Sequence, residues 1–295
     1  MNKLYTLFFL FITLNVSSQE VTGLIRDRSN LKGIAYASVF YKKNNVGTYT
    51  DSSGNFKIKK IIEDTLVISS MGFEKFLISA HNIKDFQNIS LSPVTINLNE
   101  VVVKGSKPLK IRHGKKIYLG NLSSKRYNHI SGMKGRTVAY LIKPDVATSG
   151  QIKYIHYGVK AEAPAIVRAH IYTIDAYTGK PGEDLLKNQE FLEVKSGSKN
   201  LTVDLSHLGI EFPKEGIYVG LEWIGEINSS KSVNISPTYT NSKSVEPTTV
   251  YIRFMDKNWE PALKGKVNLL KGQKEKKTGP EFYFEKPNFK ITLIQ

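Results

Sequence analysis

The chain has 295 residues, with 42 Lys+Arg against 26 Asp+Glu, a formal net charge of +16, and no cysteine. Without cysteine it has neither disulfides nor a thiol to carry a lipid anchor, so its stability must come from ordinary hydrophobic cores. Its length suits two domains, and 14 Phe and 15 Tyr among many Val, Ile and Thr favour strands over helices.

The N-terminus predicts an export signal. Lys3 gives a positive start, Leu4 to Leu14 is apolar or hydroxylated throughout, and Val16 and Ser18 are small residues placed for cleavage before Gln19. The apolar run is about half of the roughly 20 residues that a membrane helix needs, and no later stretch is long enough to span a bilayer. Residues 1–18 are therefore expected to be a signal peptide. The mature protein is expected in the periplasm, at the outer membrane or outside the cell.

From Gln19 to Lys104 short strand-like segments recur every eight to twelve residues. Val21 to Asp27 alternates apolar and polar side chains. Ala35 to Tyr41 follows, then a turn at Asn44-Asn45, and Val46 to Thr50 runs into the turn Asp51-Ser52-Ser53-Gly54-Asn55. Phe56 to Ile61 alternates for most of its length, Thr65 to Ser70 reads as a strand buried on both faces, and Met71 to Phe73 and Phe76 to Ile78 continue the meander. Ile89 to Leu91 and Ile96 to Val103 close it. Strands at this spacing indicate an all-β sandwich.

These residues resemble the carboxypeptidase regulatory-like domain, a transthyretin-like or Ig-like sandwich. The resemblance rests on Val21-Thr22-Gly23 with Asp27, Ala37-Ser38-Val39, Gly47 to Asp51 with Gly54-Asn55-Phe56, Leu66 to Ser69, Gly72-Phe73-Glu74 and the exit Leu98 to Val103. It implies an accessory module of the kind that, in Bacteroidetes, precedes the plug and barrel of TonB-dependent receptors. The chain beyond Lys104 is too short for a plug and a large barrel, and its strands show no repeated lipid-facing band.

The family name raises a zinc carboxypeptidase, which would carry a His-x-x-Glu pattern and a distant His, because catalytic zinc needs three protein ligands and an open position. The six histidines, His81, His113, His129, His156, His170 and His207, are followed three residues later by Lys84, Lys116, Gly132, Val159, Thr173 and Ile210, none of them Glu. There is no Gly-x-Ser-x-Gly elbow and no phosphate loop opening a helix. Asp51 to Asn55 has the look of a calcium loop, but the bidentate Glu is absent, and a hairpin turn is the better reading. No cofactor, no metal and no catalytic residue is expected.

Residues 105–126 are expected to be a basic linker. Lys104, Lys107, Lys110, Arg112, Lys115, Lys116, Lys125 and Arg126 occur without one acid between them. Such a run is first a solvated linker and second a patch for a polyanion. A second cluster, Lys271, Lys274, Lys276 and Lys277, is tempered by Glu275. No nucleic-acid recognition motif accompanies either cluster.

Residues 127–295 are expected to form a jelly-roll-like sandwich. Its strands are Thr137 to Ile142, Gln151 to Tyr157, Ala165 to Thr173, Phe191 to Val194, Leu201 to Leu205, Gly216 to Ile224, Val250 to Met255, Phe282 to Phe284 and Phe289 to Leu293. Strict alternation would put Ile152, Tyr154 and His156 on one face. Asp175 to Asp184 and Asn228 to Pro247 read as long loops. The strand order resembles galactose-binding-type and other carbohydrate-binding jelly rolls in architecture only. Trp259 in a hairpin and Tyr239 in the polar loop are candidates for stacking on a sugar, while Trp223 belongs in the core.

Two functions follow: an envelope scaffold that binds proteins, or a glycan- or polyanion-binding protein using Tyr239, Trp259, Lys107, Lys110, Arg112, Lys115 and Lys116. The Ile111 to Leu119 stretch is either linker or the first strand of the second domain.

Overall fold

The computed structural model describes residues 20–84, 86–94, 114–121, 127–128, 134–144, 148–186, 190–226, 235–242, 249–262 and 284–295. The expected signal peptide 1–18, the expected closing strand 96–103, Lys107, Lys110, Arg112 and the 271–277 cluster lie outside these residues. The chain divides between Thr95 and Ile96 into two compact units, and the fold is all-β, with one short 3-10 turn at Ala80–Asn82 among the described residues.

The first unit comprises β1 (Glu20–Asp27), β2 (Ser38–Tyr41), β3 (Gly47–Tyr49), β4 (Asn55–Lys59), β5 (Thr65–Ser69), β6 (Phe76–Ser79) and β7 (Phe86–Leu91). One sheet has the order β4-β1-β7 and the other β3-β2-β5-β6. β7 runs parallel to β1, pairing Thr22 with Phe86 through Asp27 with Leu91, so this strand does not continue a meander. Val21 and Ile25 on β1 meet Val39, Tyr41, Leu66, Ile68, Ile89 and Leu91 in one core. Leu66, Val67 and Ile68 are all buried, so β5 is covered on both faces.

Two of the glycines that carry the family resemblance have a physical reason. A Cβ on Gly23 would lie 2.5 Å from both the Phe56 ring and the Gln87 carbonyl oxygen. Gly54 has φ +88°, and its Cβ would meet the Ile25 carbonyl oxygen at 2.4 Å. The Asp51 turn is closed by its own carboxylate. Oδ1 accepts from the Ser53 and Asn55 amides at 2.9 and 2.8 Å, and Oδ2 accepts from the Asn55 side chain at 3.2 Å. That is an Asx-type hairpin turn.

The second unit comprises β8 (Lys116–Gly120), β9 (Tyr127–Asn128), β10 (Arg136–Ile142), β11 (Gln151–Ala161), β12 (Ala165–Ile174), β13 (Pro181–Asp184), β14 (Glu190–Val194), β15 (Asn200–Asp204), β16 (Ile217–Glu226), β17 (Ile235–Ser242), β18 (Val250–Phe254), β19 (Glu260–Pro261), β20 (Phe284–Pro287) and β21 (Phe289–Ile294). One sheet has the order β13-β12-β16-β10-β18-β19, with β14 also on β12. The other runs β20-β17-β11-β21-β8, with β15 on β11 and β9 on β17. The chain changes sheet at most connections from β10 to β18, as a jelly roll does. Tyr140, Ile155, Tyr157, Val167, Ile171, Leu221, Trp223, Phe289 and Ile291 fill the core between them.

Several strand assignments differ from the sequence reading. Lys116–Gly120 pairs with β21, from Ile294 opposite Lys116 to Lys290 opposite Gly120, so the second sandwich begins inside the expected linker 105–126. Pro181–Asp184 is a strand on β12, within the expected loop. Ile235–Ser242, within the expected polar loop, pairs with β11, β20 and β9. Its Ser, Thr and Asn side chains hide a strand whose backbone ladder is nonetheless made. The expected face of β11 is also broken. The register shifts between Ile152 and Tyr154, so Ile152, Ile155 and Tyr157 are all core while Tyr154 and His156 face outward.

Candidate functional site

Each sheet of the second unit turns an outer face away from the shared core, and the two faces are built differently.

On β12, Val167, Ala169 and Ile171 enter the core, so the alternating pleat turns Arg168, His170 and Tyr172 the other way. The ladders set these beside residues of the next three strands. One row reads Arg168, Glu222, Thr137, Arg253, and the next His170, Gly220, Ala139, Tyr251. A third row brings Tyr172, Tyr218 and Leu141 together.

An ion network is buried there. Glu222 Oε2 accepts from Arg168 Nε at 2.8 Å and from Arg168 Nη2, and lies 2.9 Å from His170 Nε2. His170 Nδ1 lies 2.6 Å from Asp184 Oδ2, and Asp184 Oδ1 accepts from the Leu186 amide at 3.1 Å. The His170 ring stacks on Tyr172, with centroids 5.1 Å apart. Arg253 Nη2 donates to the Tyr172 hydroxyl at 3.0 Å, and its guanidinium carbon sits 4.5 Å from the Trp259 ring centre. Thr137 Oγ1 and Arg253 Nε are buried without a hydrogen-bond partner.

Burial alone would push the Glu222 carboxyl up; Arg168, then His170 and Arg253, override it and hold the group well below the usual carboxylate range. Both His170 nitrogens face carboxylate oxygens, and Glu222 Oε2 receives three nitrogen contacts, all from within the cluster. Among the described residues no group of three or more His, Cys, Asp or Glu side chains is set to hold a metal ion. What the network does is fix the register of β12, β16, β10 and β18 under Trp259 and the loop at Gly179, whose carbonyl accepts from the Tyr218 hydroxyl at 2.7 Å.

On the outer face of the β11 sheet Tyr118 and Thr202 are exposed, Tyr154, His156 and Lys290 are half-buried, and Thr292 is buried. One row reads Asp204, Tyr154, Thr292, Tyr118, and the next Thr202, His156, Lys290, Gly120. His156 Nδ1 lies 3.0 Å from Thr202 Oγ1 and Nε2 2.8 Å from Thr292 Oγ1. Hydroxyls both donate and accept, so either neutral tautomer is satisfied. Burial first and the Lys290 charge second lower the His156 pKa, which keeps the ring neutral near pH 7. Lys290 Nζ sits 5.9 Å from the Tyr118 ring centre, and Tyr118 is 48% exposed on an edge strand.

The residues singled out from the sequence do not gather into one site. Trp259 is 9% exposed and packs edge-on against Tyr172 at 5.2 Å between centroids, beneath Arg253, so its ring is packing rather than a sugar platform. Tyr239 is in β17, opposite Tyr127 and Pro287, and not in a loop. Lys115 and Lys116 are exposed at the start of β8. Trp223 is core, as its apolar strand implies.

Sequence reasoning missed Arg168, His170, Asp184, Glu222 and Arg253, and on the other face Tyr118, Tyr154 and Lys290. For the first set a signal existed. Glu222 is the one charge in the run Ile217 to Ile224, and Arg168 and His170 alternate with core residues. Charges in such positions are buried only when paired.

Residues 21–103 match the model of the CarboxypepD_reg-like domain family. No curated protein sequence gives a significant match. Among solved structures, a clostridial cysteine protease, Cwp84, after propeptide cleavage is 13% identical, with 88% of this chain and 65% of that one covered at a TM-score of 0.36. The cysteine protease and lectin-like domains of Cwp84, a surface-layer-associated protein of Clostridium difficile, are 11% identical, with 88% and 59% covered at 0.36. A Bacteroides uniformis protein described as a candidate carbohydrate-binding protein is 9% identical, with 81% and 99% covered at 0.21. This chain thus spans less than two thirds of the length of the two Cwp84 structures, and likenesses at these TM-scores carry no argument about function.

Proposed function

We propose that this chain is an exported, non-catalytic binding protein of the cell envelope. In this reading the CarboxypepD_reg-like sandwich is an accessory module, and the second sandwich carries the binding surface. The observation that supports it most is the contrast between the two outer faces. The titratable cluster of the β12 sheet is buried, with Arg168, His170, Asp184 and Glu222 paired to one another. The β11 sheet leaves Tyr118, Lys116 and Thr202 exposed and Lys290 half-buried. A protein partner is favoured by the edges of the first sandwich, where Phe76 and Leu77 on β6 of one sheet and Phe86 on β7 of the other leave 37%, 55% and 56% of their surface exposed.

The test is to tag the full chain at its C-terminus, fractionate the cells and measure the mass of the mature protein. Removal of residues 1–18 and retention on washed envelope material are expected. An unprocessed chain that stays in the cytoplasm overturns the export reading, and a processed chain that washes freely off the envelope overturns the binding reading.

A further inference from the structure

We infer that the outer face of the β15-β11-β21-β8 sheet binds an acidic glycan, a sugar chain carrying carboxylate or sulfate groups. This deepens the binding reading above and rests on it.

The argument begins with what the face leaves open. A tyrosine 48% exposed on an edge strand is a large apolar ring in water beside a lysine. Sugar rings have apolar C–H faces that stack on such rings. Tyr154 is on the same row, with Thr292 between the two tyrosines. Neighbouring strands are about 4.8 Å apart, so the two aromatic positions are separated by roughly 10 Å across the ladder. Two rings at that spacing suit an extended chain of sugar rings rather than a single small molecule.

The polar groups match the hydroxyls of such a chain. His156 is held between the Thr202 and Thr292 hydroxyls, and the exposed Thr202 hydroxyl, which has one donor and two acceptor sites, keeps hydrogen-bonding capacity for a sugar hydroxyl. The cations supply the preference for acid. Lys290 leans over Tyr118, Lys116 opens the same edge strand, and Lys115 precedes it. The residue opposite Lys290 on β8 is Gly120, which has φ +105° and no side chain to screen the ammonium. The one acid in the two rows is Asp204, at the far end, where its carboxylate accepts from the Ser206 amide at 2.8 Å. Lys115, Lys116 and Lys290 against Asp204 leave the Tyr118 end positive. An anion on the sugar would be drawn there, and the attraction would fall as salt shortens the Debye length from about 10 Å at 0.1 M to about 3 Å at 1 M. A membrane surface would call for protruding apolar side chains, and a nucleic acid for a longer track of cations than these rows supply.

The experiment is calorimetric titration of the full mature chain with polygalacturonate and chondroitin sulfate. Dextran is the neutral control, and a single-stranded oligonucleotide and vesicles of anionic phospholipid are the other polyanions. The expected result is binding of at least one of the two acidic glycans and none of dextran. Tyr118→Ala and Lys290→Gln should each weaken it at least tenfold, with unchanged circular dichroism. Lys115→Gln with Lys116→Gln should weaken it and flatten its salt dependence. Acidic glycans binding no better than dextran, the oligonucleotide or the vesicles binding as well as the glycans, or Tyr118→Ala binding like the parent would overturn the inference. Retention on envelope material without glycan binding would overturn this inference alone, whereas loss of both would overturn the binding reading with it.

Discussion

Replacing Glu222 with Gln keeps the volume of a side chain that is 2% exposed and removes its charge. Arg168, with 14% of its side chain exposed, and Arg253 then lose the anion that compensates them. Removing one partner of a buried ion pair costs about 3–5 kcal/mol, because the other charge stays buried and unmatched. For a unit of about 200 residues each kcal/mol moves Tm by about 2–4 °C, so the second unit should melt roughly 6–20 °C lower. Differential scanning calorimetry of the full chain reads this in the transition of the second unit. The pH profile carries the same information with a definite sign. The Glu222 carboxyl is held below its ordinary value of 4.5, so its contribution is fully present above that value and is lost as pH falls further. Glu222→Gln should remove that part of the acid sensitivity. Combined with Arg168→Met, the loss should be smaller than the sum of the two single losses by about 0.5–3 kcal/mol. A Tm within about 2 °C of the parent for Glu222→Gln, with an unchanged acid profile, would refute the idea that this network holds the sheet.

Other outcomes follow from single residues. Asp64 accepts from the Lys43 amide at 3.0 Å, the Asn44 amide at 3.0 Å, the Asn44 side chain at 2.8 Å and the Thr65 amide at 2.7 Å, so Asp64→Ala should cost the first unit about 1–3 kcal/mol in urea denaturation. Gly54→Ala puts a Cβ 2.4 Å from the Ile25 carbonyl oxygen at a positive φ and should destabilise the same unit by more than about 1 kcal/mol, whereas Gly197→Ala, with φ +79° and nothing within 4 Å, should cost less. The His156 pKa is lowered by burial first and Lys290 second, so Lys290→Gln should raise its titration midpoint toward the ordinary histidine value of 6.5 in an NMR titration. Because that pKa is lowered in the fold, His156 adds stability above 6.5 that is lost as pH falls through its folded value.

The fold was legible wherever burial forces a pattern on the residues. The alternation of Val21 to Asp27, the apolar run Leu66 to Ile68 and the turn Asp51 to Asn55 each became the element their sequence implies. Misreadings came where the pattern and the ladder part company. The β17 residues Ser236, Thr238, Thr240 and Asn241 look like a loop, yet pairing on both sides supplies the backbone bonds that make them a strand. The register shift after Ile152 breaks a strict period of two, and no local composition marks it. The candidate face was less legible still. Tyr118, Tyr154, His156 and Lys290 come from β8, β11 and β21, and only the ladder makes them neighbours. Trp259 drew notice as an aromatic in a hairpin, but a partner distant in sequence, Tyr172, together with the nearby Arg253, decided its role.

The most direct test of the central claim is a heteronuclear NMR titration of the full mature chain with an acidic oligosaccharide, followed by mass spectrometry of that oligosaccharide after prolonged incubation. The expected result is shift changes confined to the neighbourhood of Tyr118, His156 and Lys290, and a sugar recovered at its starting mass. Shifts gathered around His170 and Glu222, or a sugar cleaved by the parent chain, would contradict it.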